Sequence, residues 1–260
     1  MIITTGDKAG EEIVSRAEAL AFITGSLYVP RRHTSLARMA KQHGESDIVV
    51  VLDKGARLIR AGEEPMEFHP SMGFIRAKRI LKGESDPMLD ASCMTEGDSV
   101  LDCTAGLGTD ALVFAVKGGP NAKITAVESS PSLAALLKEG LANYASAVSE
   151  INDAMRRVEV LNRNHLEVLR SLPDQCVDIV YFDPMFREPL MDSSAIRPLR
   201  WFANSEPLAG ESIQEAVRVA RKTVVVKEKR GSGEFARLGF TEQERAHSKI
   251  SYGVIRIDRK

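Results

Sequence analysis

Four short stretches carry side chains whose types and spacing could do chemistry. The first is Asp102-Cys103-Thr104-Ala105-Gly106-Leu107-Gly108-Thr109-Asp110, placed directly after an apolar run. Its two glycines let the backbone turn tightly and approach a ligand, and a following helix would present free N–H groups there. The dinucleotide pattern G-x-G-x-x-G is missing, because Gly106-Leu107-Gly108 leads into Thr109-Asp110-Ala111. Asp110 so close to a helix start would repel a pyrophosphate and would suit a cationic or zwitterionic ligand. Glu128 lies about twenty positions beyond Gly108, the spacing at which an acidic side chain accepts from both ribose hydroxyls of an adenosine. Asn164-His165 forms the third stretch, where an amide could read an adenine edge or simply cap a helix. The fourth is Tyr181-Phe182-Asp183-Pro184-Met185-Phe186. There Asp-Pro stiffens a turn and offers an acceptor carboxylate with an aromatic ring close by.

Elements must bring these stretches together. From Ser99 onward the pattern alternates between strands and helices: strands at Val100 to Cys103, Lys123 to Glu128, Val158 to Leu161, Val177 to Phe182 and Thr223 to Lys227. Helical spacing fills the gaps at Thr109 to Lys117, Ser132 to Asn143, His165 to Ser171 and Ser212 to Ala220, with Ser130 as N-cap and Pro131 at the first helical position of the second. A short helix at Glu234 to Leu238 and strands at Glu242 to His247 and Ser251 to Ile257 complete the chain. Such alternation predicts right-handed crossovers and a doubly wound α/β sheet, with ligands beyond the carboxyl ends of its strands. All four stretches follow a strand, so all four are expected at that edge.

The preceding residues read differently. Strands at Met1 to Thr5 and Leu27 to Pro30, helices at Gly10 to Ile23 and Thr34 to His43 (Thr34 as N-cap), and a hairpin turning at Asp53-Lys54-Gly55 predict a small α+β domain over residues 1–70. A helix after Pro70 then leads through a loop at Asp86-Pro87 into the larger domain, residues 71–260.

Composition narrows the classes. The 260 residues are 43% hydrophobic and 27% charged, as in an ordinary globular chain, and the net charge is -1. Nucleic acid held by bulk attraction is excluded, so such a partner would need local patches. Three basic clusters are candidates: Arg31, Arg32, His33, Arg38 and Lys41; Arg76, Lys78, Arg79 and Lys82; Lys227, Lys229 and Arg230. Three cysteines without CxxC spacing predict neither disulfide nor metal site and a reducing, cytoplasmic setting. No apolar run approaches the length of a membrane span.

Together, the run VLDCTAGLGTDA from Val100, then AVESSP, VLNRNHLEVL and VYFDPMF, resembles a class I S-adenosylmethionine-dependent methyltransferase. Within that superfamily the chain is most similar to the RsmJ-type enzymes, which methylate the N2 amine of a guanine in small-subunit ribosomal RNA. The likeness implies a mostly parallel Rossmann-like sheet and S-adenosyl-L-methionine as cofactor. It implies cofactor contacts from Thr109, Asp110, Glu128, Ser129, Asn164, His165 and Asp183, to which Asp102, Gly106 and Gly108 of the glycine turn are added. It also implies Asp183, Pro184 and Phe186 as the catalytic motif that handles the target amine. The chain departs from the family after this motif: the family is markedly basic there, whereas this chain reads Arg187-EPLMDSSAIRPLR to residue 200, with Glu188 and Asp192 included. The expected substrate is therefore an exocyclic nucleobase amine, guanine N2 in ribosomal RNA or its particle. Adenine N6, a small-molecule amine, or a non-catalytic cofactor-binding role in ribosome assembly are the alternatives.

Overall fold

The computed structural model describes residues 1–185, 199, 202, 206–243 and 248–258. The chain opens with β1 (Ile2–Thr5), α1 (Glu11–Thr24), β2 (Leu27–Tyr28), α2 (Leu36–His43), β3 (Asp47–Leu52), β4 (Gly55–Arg60) and β5 (Met66–Glu67). These strands form a five-stranded sheet in the order β2-β1-β3-β4-β5. β1 runs parallel to β2 and β3, while β4 pairs antiparallel with β3 and β5. The cap of α2 is Ser35 and not Thr34: the Ser35 hydroxyl accepts from the Arg38 N–H at 3.3 Å.

Next come α3 (Ser71–Leu81), α4 (Pro87–Ser92), β6 (Ser99–Asp102), α5 (Thr109–Gly118), β7 (Lys123–Glu128), α6 (Pro131–Asn143), α7 (Ser149–Arg157), β8 (Val158–Asn162) and α8 (His165–Ser171). The described chain continues with β9 (Val177–Phe182), α9 (Gly210–Val219), β10 (Ala220–Lys229), α10 (Gly233–Leu238), β11 (Thr241–Gln243) and β12 (Ile250–Arg256). Seven strands line up as β11-β12-β10-β9-β6-β7-β8. β8, β7, β6, β9 and β10 are mutually parallel, and β12 enters antiparallel between β10 and β11. The strand order reverses between β6 and β9, so the crevice of a doubly wound sheet opens beyond their carboxyl ends. The loop expected at Asp86-Pro87 is the start of α4, where the Asp86 carboxylate caps the Met88 N–H at 3.0 Å. Expected strand residues 244–247 lie outside the described residues.

One helix explains how the two sheets meet. In α6 nearly every residue is buried, Ser132 to Leu137 and Glu139 to Leu141. A helix that is apolar all round needs cover on both sides. β7 and β8 supply one side, and β3 and β4 of the first sheet supply the other. Gly140 permits this closeness, because a Cβ there would overlap the Phe68 ring. Glu139, the buried charge of the helix, is ion-paired with Arg16 of α1. A single apolar cluster accordingly runs from Ile3 and Val49 through Leu133 and Leu137 to Phe114 and Tyr181. No described helix is long and apolar enough to cross a membrane. Of the cysteines, Cys93 is exposed, Cys103 buried and Cys176 half-buried, all as free thiols.

Candidate active site

The glycine turn follows β6 as expected. Gly106 and Gly108 adopt φ of 54° and 70°, the left-handed region that favours glycine. Gly108 also meets α6, since a Cβ on it would lie 2.7 Å from Leu137 Cδ1. Above Gly106 the nearest of the described residues is Leu199, whose Cδ2 would be 3.9 Å from such a Cβ. Thr109, half-buried, starts α5, and α3 crosses it so closely that a Cβ on Gly73 would sit 2.6 Å from the Thr109 carbonyl oxygen.

Glu128 ends β7 beside this turn. Its Oε2 accepts from the Gly106 N–H at 2.9 Å and its Oε1 from the Ser130 N–H at 2.8 Å. Burial pushes this carboxyl up, and the backbone donors pull the other way. Each oxygen keeps a second lone pair, so the carboxylate fits the hydroxyls of a ribose. Asn162 of β8 braces the loop by donating to the carbonyls of Glu128 and Ser129 at 2.8 and 3.2 Å. Asp102, buried at the end of β6, accepts from the Thr104 N–H at 3.2 Å, and its burial beside Asp110 pushes its carboxyl far up.

Asp183 stands across the crevice, after β9. Its N–H donates to Thr104 Oγ1 at 2.6 Å, which joins the two turns. Its Oδ2 accepts from Lys227 Nζ at 2.7 Å. Burial and neighbouring Asp110 push the Asp183 carboxyl up against the pull of Lys227. Pro184 and Met185 follow, half-buried. Phe186, expected in the motif that handles the target amine, lies outside the described residues. Phe202 is 5% exposed and lies under Arg60, whose guanidinium is 4.4 Å from the ring centroid, so this ring is packing. A cleft of about 330 Å³, lined by residues 228–234, opens at the same sheet edge where β10 ends.

Other expected site residues have partners inside the protein. Asp110 is 5% exposed; it is paired with Arg76 and accepts from Tyr181 Oη at 2.8 Å and Lys227 Nζ at 3.1 Å. Those cations hold its carboxyl well below the usual range despite burial. Asn164 caps α8, accepting from the Leu166 N–H at 2.8 Å. His165 Nε2 lies 3.0 Å from Ser212 Oγ, with its ring edge-on to Phe182, and burial lowers its pKa. Among the described residues no group of side chains could hold a metal ion.

The basic clusters need correction. Arg76 and Lys227 are not surface charges. Arg76 forks onto Asp86 with two bonds of 2.8 Å and also reaches Asp110, while Lys227 is spent on Asp110 and Asp183. Desolvation forces such cations to take carboxylate partners. Lys78 on α3 and Lys82 just after it remain exposed, as do Arg32, Arg38 and Lys41 on the first unit. Lys227, Arg76, Tyr181 and Asn162 are the site residues that pattern reading missed.

The crevice thus sets one carboxylate held by backbone N–H groups, Glu128, across from a second held by a cation, Asp183. The family model described as "Putative SAM-dependent methyltransferase" matches residues 62–245, and the chain belongs to that family. It is 37% identical over 254 residues to the "Uncharacterized protein YpiP" of Bacillus subtilis, covering 98% of each chain. It is 34% identical over 236 residues to the ribosomal RNA small subunit methyltransferase J of Pseudomonas syringae pv. tomato, covering 86% of this chain and 84% of that protein. Its fold is similar to the crystal structure of a SAM-dependent methyltransferase from Neisseria gonorrhoeae, with a TM-score of 0.63 and 22% identity over 98% of this chain and 95% of that one. The cofactor is therefore S-adenosyl-L-methionine.

Proposed function

We propose that the protein methylates an exocyclic nucleobase amine in ribosomal RNA, guanine N2 being the favoured target. The observation that carries this reading is Asp183 at the switch point opposite Glu128, its backbone N–H held by Thr104 and its carboxylate by Lys227. The relatives named for ribosomal RNA methylation support the substrate class.

Glu128 would hold the ribose hydroxyls, Ser129 and the Gly106-Gly108 turn would line the crevice, and Thr109 would present the start of α5. Asp102 and Asp110 act from behind, through Thr104 and Lys227, and Asn164 and His165 shape the far wall as cap and packed ring. When bound, the cofactor would supply a methyl group activated by its positive sulfur; the amine lone pair would form the N–C bond and the C–S electron pair would stay with sulfur. An exocyclic base amine is a poor nucleophile because its lone pair is delocalised into the ring. Asp183, accepting one N–H, draws that lone pair out of conjugation and then receives the proton that the methylated nitrogen sheds. Pro184 stiffens the turn, so the carboxylate is positioned before substrate arrives; such positioning supplies roughly 7 to 11 kcal/mol of a barrier. Phe186 is proposed to stack on the base.

RNA would be met through exposed local charge, Lys78 and Lys82 on and just after α3 and Arg32, Arg38 and Lys41 on residues 1–70, which we assign as a substrate-docking domain. A cytoplasmic location accords with such a substrate. The test offers labelled S-adenosylmethionine in parallel to small-subunit particles, naked ribosomal RNA, DNA and a metabolite pool, followed by digestion and mass analysis. N2-methylguanosine from ribosomal RNA is expected. Label in N6-methyladenosine, DNA or a metabolite would replace the substrate, and no label in any pool would count against the reading.

A further inference from the structure

We propose that Lys227 is a positioning residue for methyl transfer: its ammonium, shared between Asp183 and Asp110, fixes one oxygen of the Asp183 carboxylate and leaves the other for the substrate amine. The inference rests on the reading of Asp183 given above and adds how that side chain is kept ready.

Lys227 lies beside Asp183 because β10 is parallel to β9 with Val226 opposite Phe182. Its Nζ is 2.7 Å from Asp183 Oδ2 and 3.1 Å from Asp110 Oδ2. Asp110 is anchored in turn by Tyr181 and by Arg76, and Arg76 by Asp86. Asp86, Arg76, Asp110, Lys227 and Asp183 thus form one chain of contacts across α3, α5, β9 and β10. Its members are nearly closed to solvent until the last: side-chain exposure is 5% at Asp110, 17% at Lys227 and 29% at Asp183. Asp183 Oδ1 has no donor among the described residues. Among the described residues, three carboxylates against two cations leave one negative charge over, and the network opens at Asp183, where the attacking nitrogen turns positive.

Without Lys227 the environment would work against Asp183. Asp110 faces it from α5, Asp102 from β6 and Glu228 from β10, all carboxylates, with the Tyr181 hydroxyl from its own strand. Tyr252 on β12 faces Lys227, and burial beside Asp110 raises its phenol to about 12, so it supplies no charge at neutral pH. Among the described residues, Lys227 is the cation in direct contact with Asp183. A protonated Asp183 would donate at the oxygen where acceptance is needed, so the ammonium keeps the acceptor available.

The test is a carboxyl titration of the full chain with S-adenosylhomocysteine bound, read by NMR on carbon-13-labelled aspartate and assigned by the signal lost in Asp183→Asn. Lys227→Met is expected to raise the Asp183 midpoint by about one unit or more, and Asp110→Asn to lower it, since the lysine then serves Asp183 alone. A role in packing alone would not move the midpoint in opposite directions. An unmoved midpoint in Lys227→Met overturns the proposal. If that variant lacks a native spectrum, Asp110→Asn decides, and an unchanged or raised midpoint overturns it. Methyl transfer by Asp183→Asn separates the two readings: full activity removes Asp183 from catalysis whatever the titration shows, whereas an inactive Asp183→Asn with an unmoved midpoint in Lys227→Met removes only Lys227.

Discussion

Glu128 and Asp183 are both carboxylates at strand ends, yet their surroundings give them different uses. Glu128 is held by two backbone N–H groups and no cation, a setting suited to neutral hydroxyls. Asp183 is held by an ammonium, which pulls against the burial and the Asp110 carboxylate that push its carboxyl up. Glu128→Ala should weaken S-adenosylhomocysteine binding, in calorimetry, by the loss of one or two charge-assisted hydrogen bonds, roughly 1.5 to 3 kcal/mol each. Asp183→Asn should instead lower the transfer rate about 10² to 10⁴-fold, measured in single turnover at saturating cofactor, with a much smaller effect on binding. The strand-end carboxylates were legible in the sequence because each is announced by its own neighbours: a strand before it and a turn after it. Lys227 and Arg76 were not, because their partner Asp110 lies 117 and 34 positions away. A run of basic residues does not reveal which of its members turns inward.

At the scale of elements, the alternation of strands and helices was readable because each crossover has its own apolar period. α4 was read as a loop although Asp86 and Pro87 form an N-cap and first-position pair, the same signal that located α6. The small apolar side of α7, Ile151, Ala154 and Met155, was overlooked among polar neighbours. Gly108 shows how one position serves two elements: it takes positive φ and admits Leu137 of α6. Gly108→Ala should therefore cost about 1 to 3 kcal/mol in denaturant unfolding through strain and overpacking. A second element-scale prediction concerns the edge opposite the crevice. There Asp178 accepts from the Ser99 N–H and hydroxyl at 2.9 and 2.8 Å and from two Arg221 nitrogens at 2.9 and 2.8 Å, tying β9 to β6 and β10. Although burial pushes this carboxyl up, those donors outweigh it and hold it at about 2. A depressed pKa contributes stability that is present above the ordinary value of 3.8 and is lost as pH falls through about 2. Asp178→Asn should flatten that part of the acid-unfolding curve, followed by circular dichroism.

For the whole molecule, a net charge of -1 means that any affinity for RNA must come from where cations sit. Lys78 is exposed on the helix that crosses the start of α5, and Lys82 is exposed where that helix ends. Reversing both to Glu should weaken ribosomal RNA binding and flatten its dependence on salt by up to about two in log–log slope, in filter binding across a salt series, with cofactor affinity unchanged. The joining of the two sheets was not legible beforehand. The apolar period of α6 shows that the helix is covered, but nothing in it names Phe68 and β4 as the cover. Only the packing of Gly140 against Phe68 and the pairing of Arg16 with Glu139 display it.

The three thiols sort the molecule for a chemist at the bench. Cys103 is buried beneath the crevice, and desolvation beside Asp102 keeps its thiol protonated and unreactive. Cys93 is exposed at the far edge of the sheet, where its sulfur meets Arg256 at 2.8 Å as β12 ends. A maleimide dye, biotin or surface tether directed to Cys93 would hold the protein by its back. The crevice would then face outward, free to meet an object as large as a ribosomal particle.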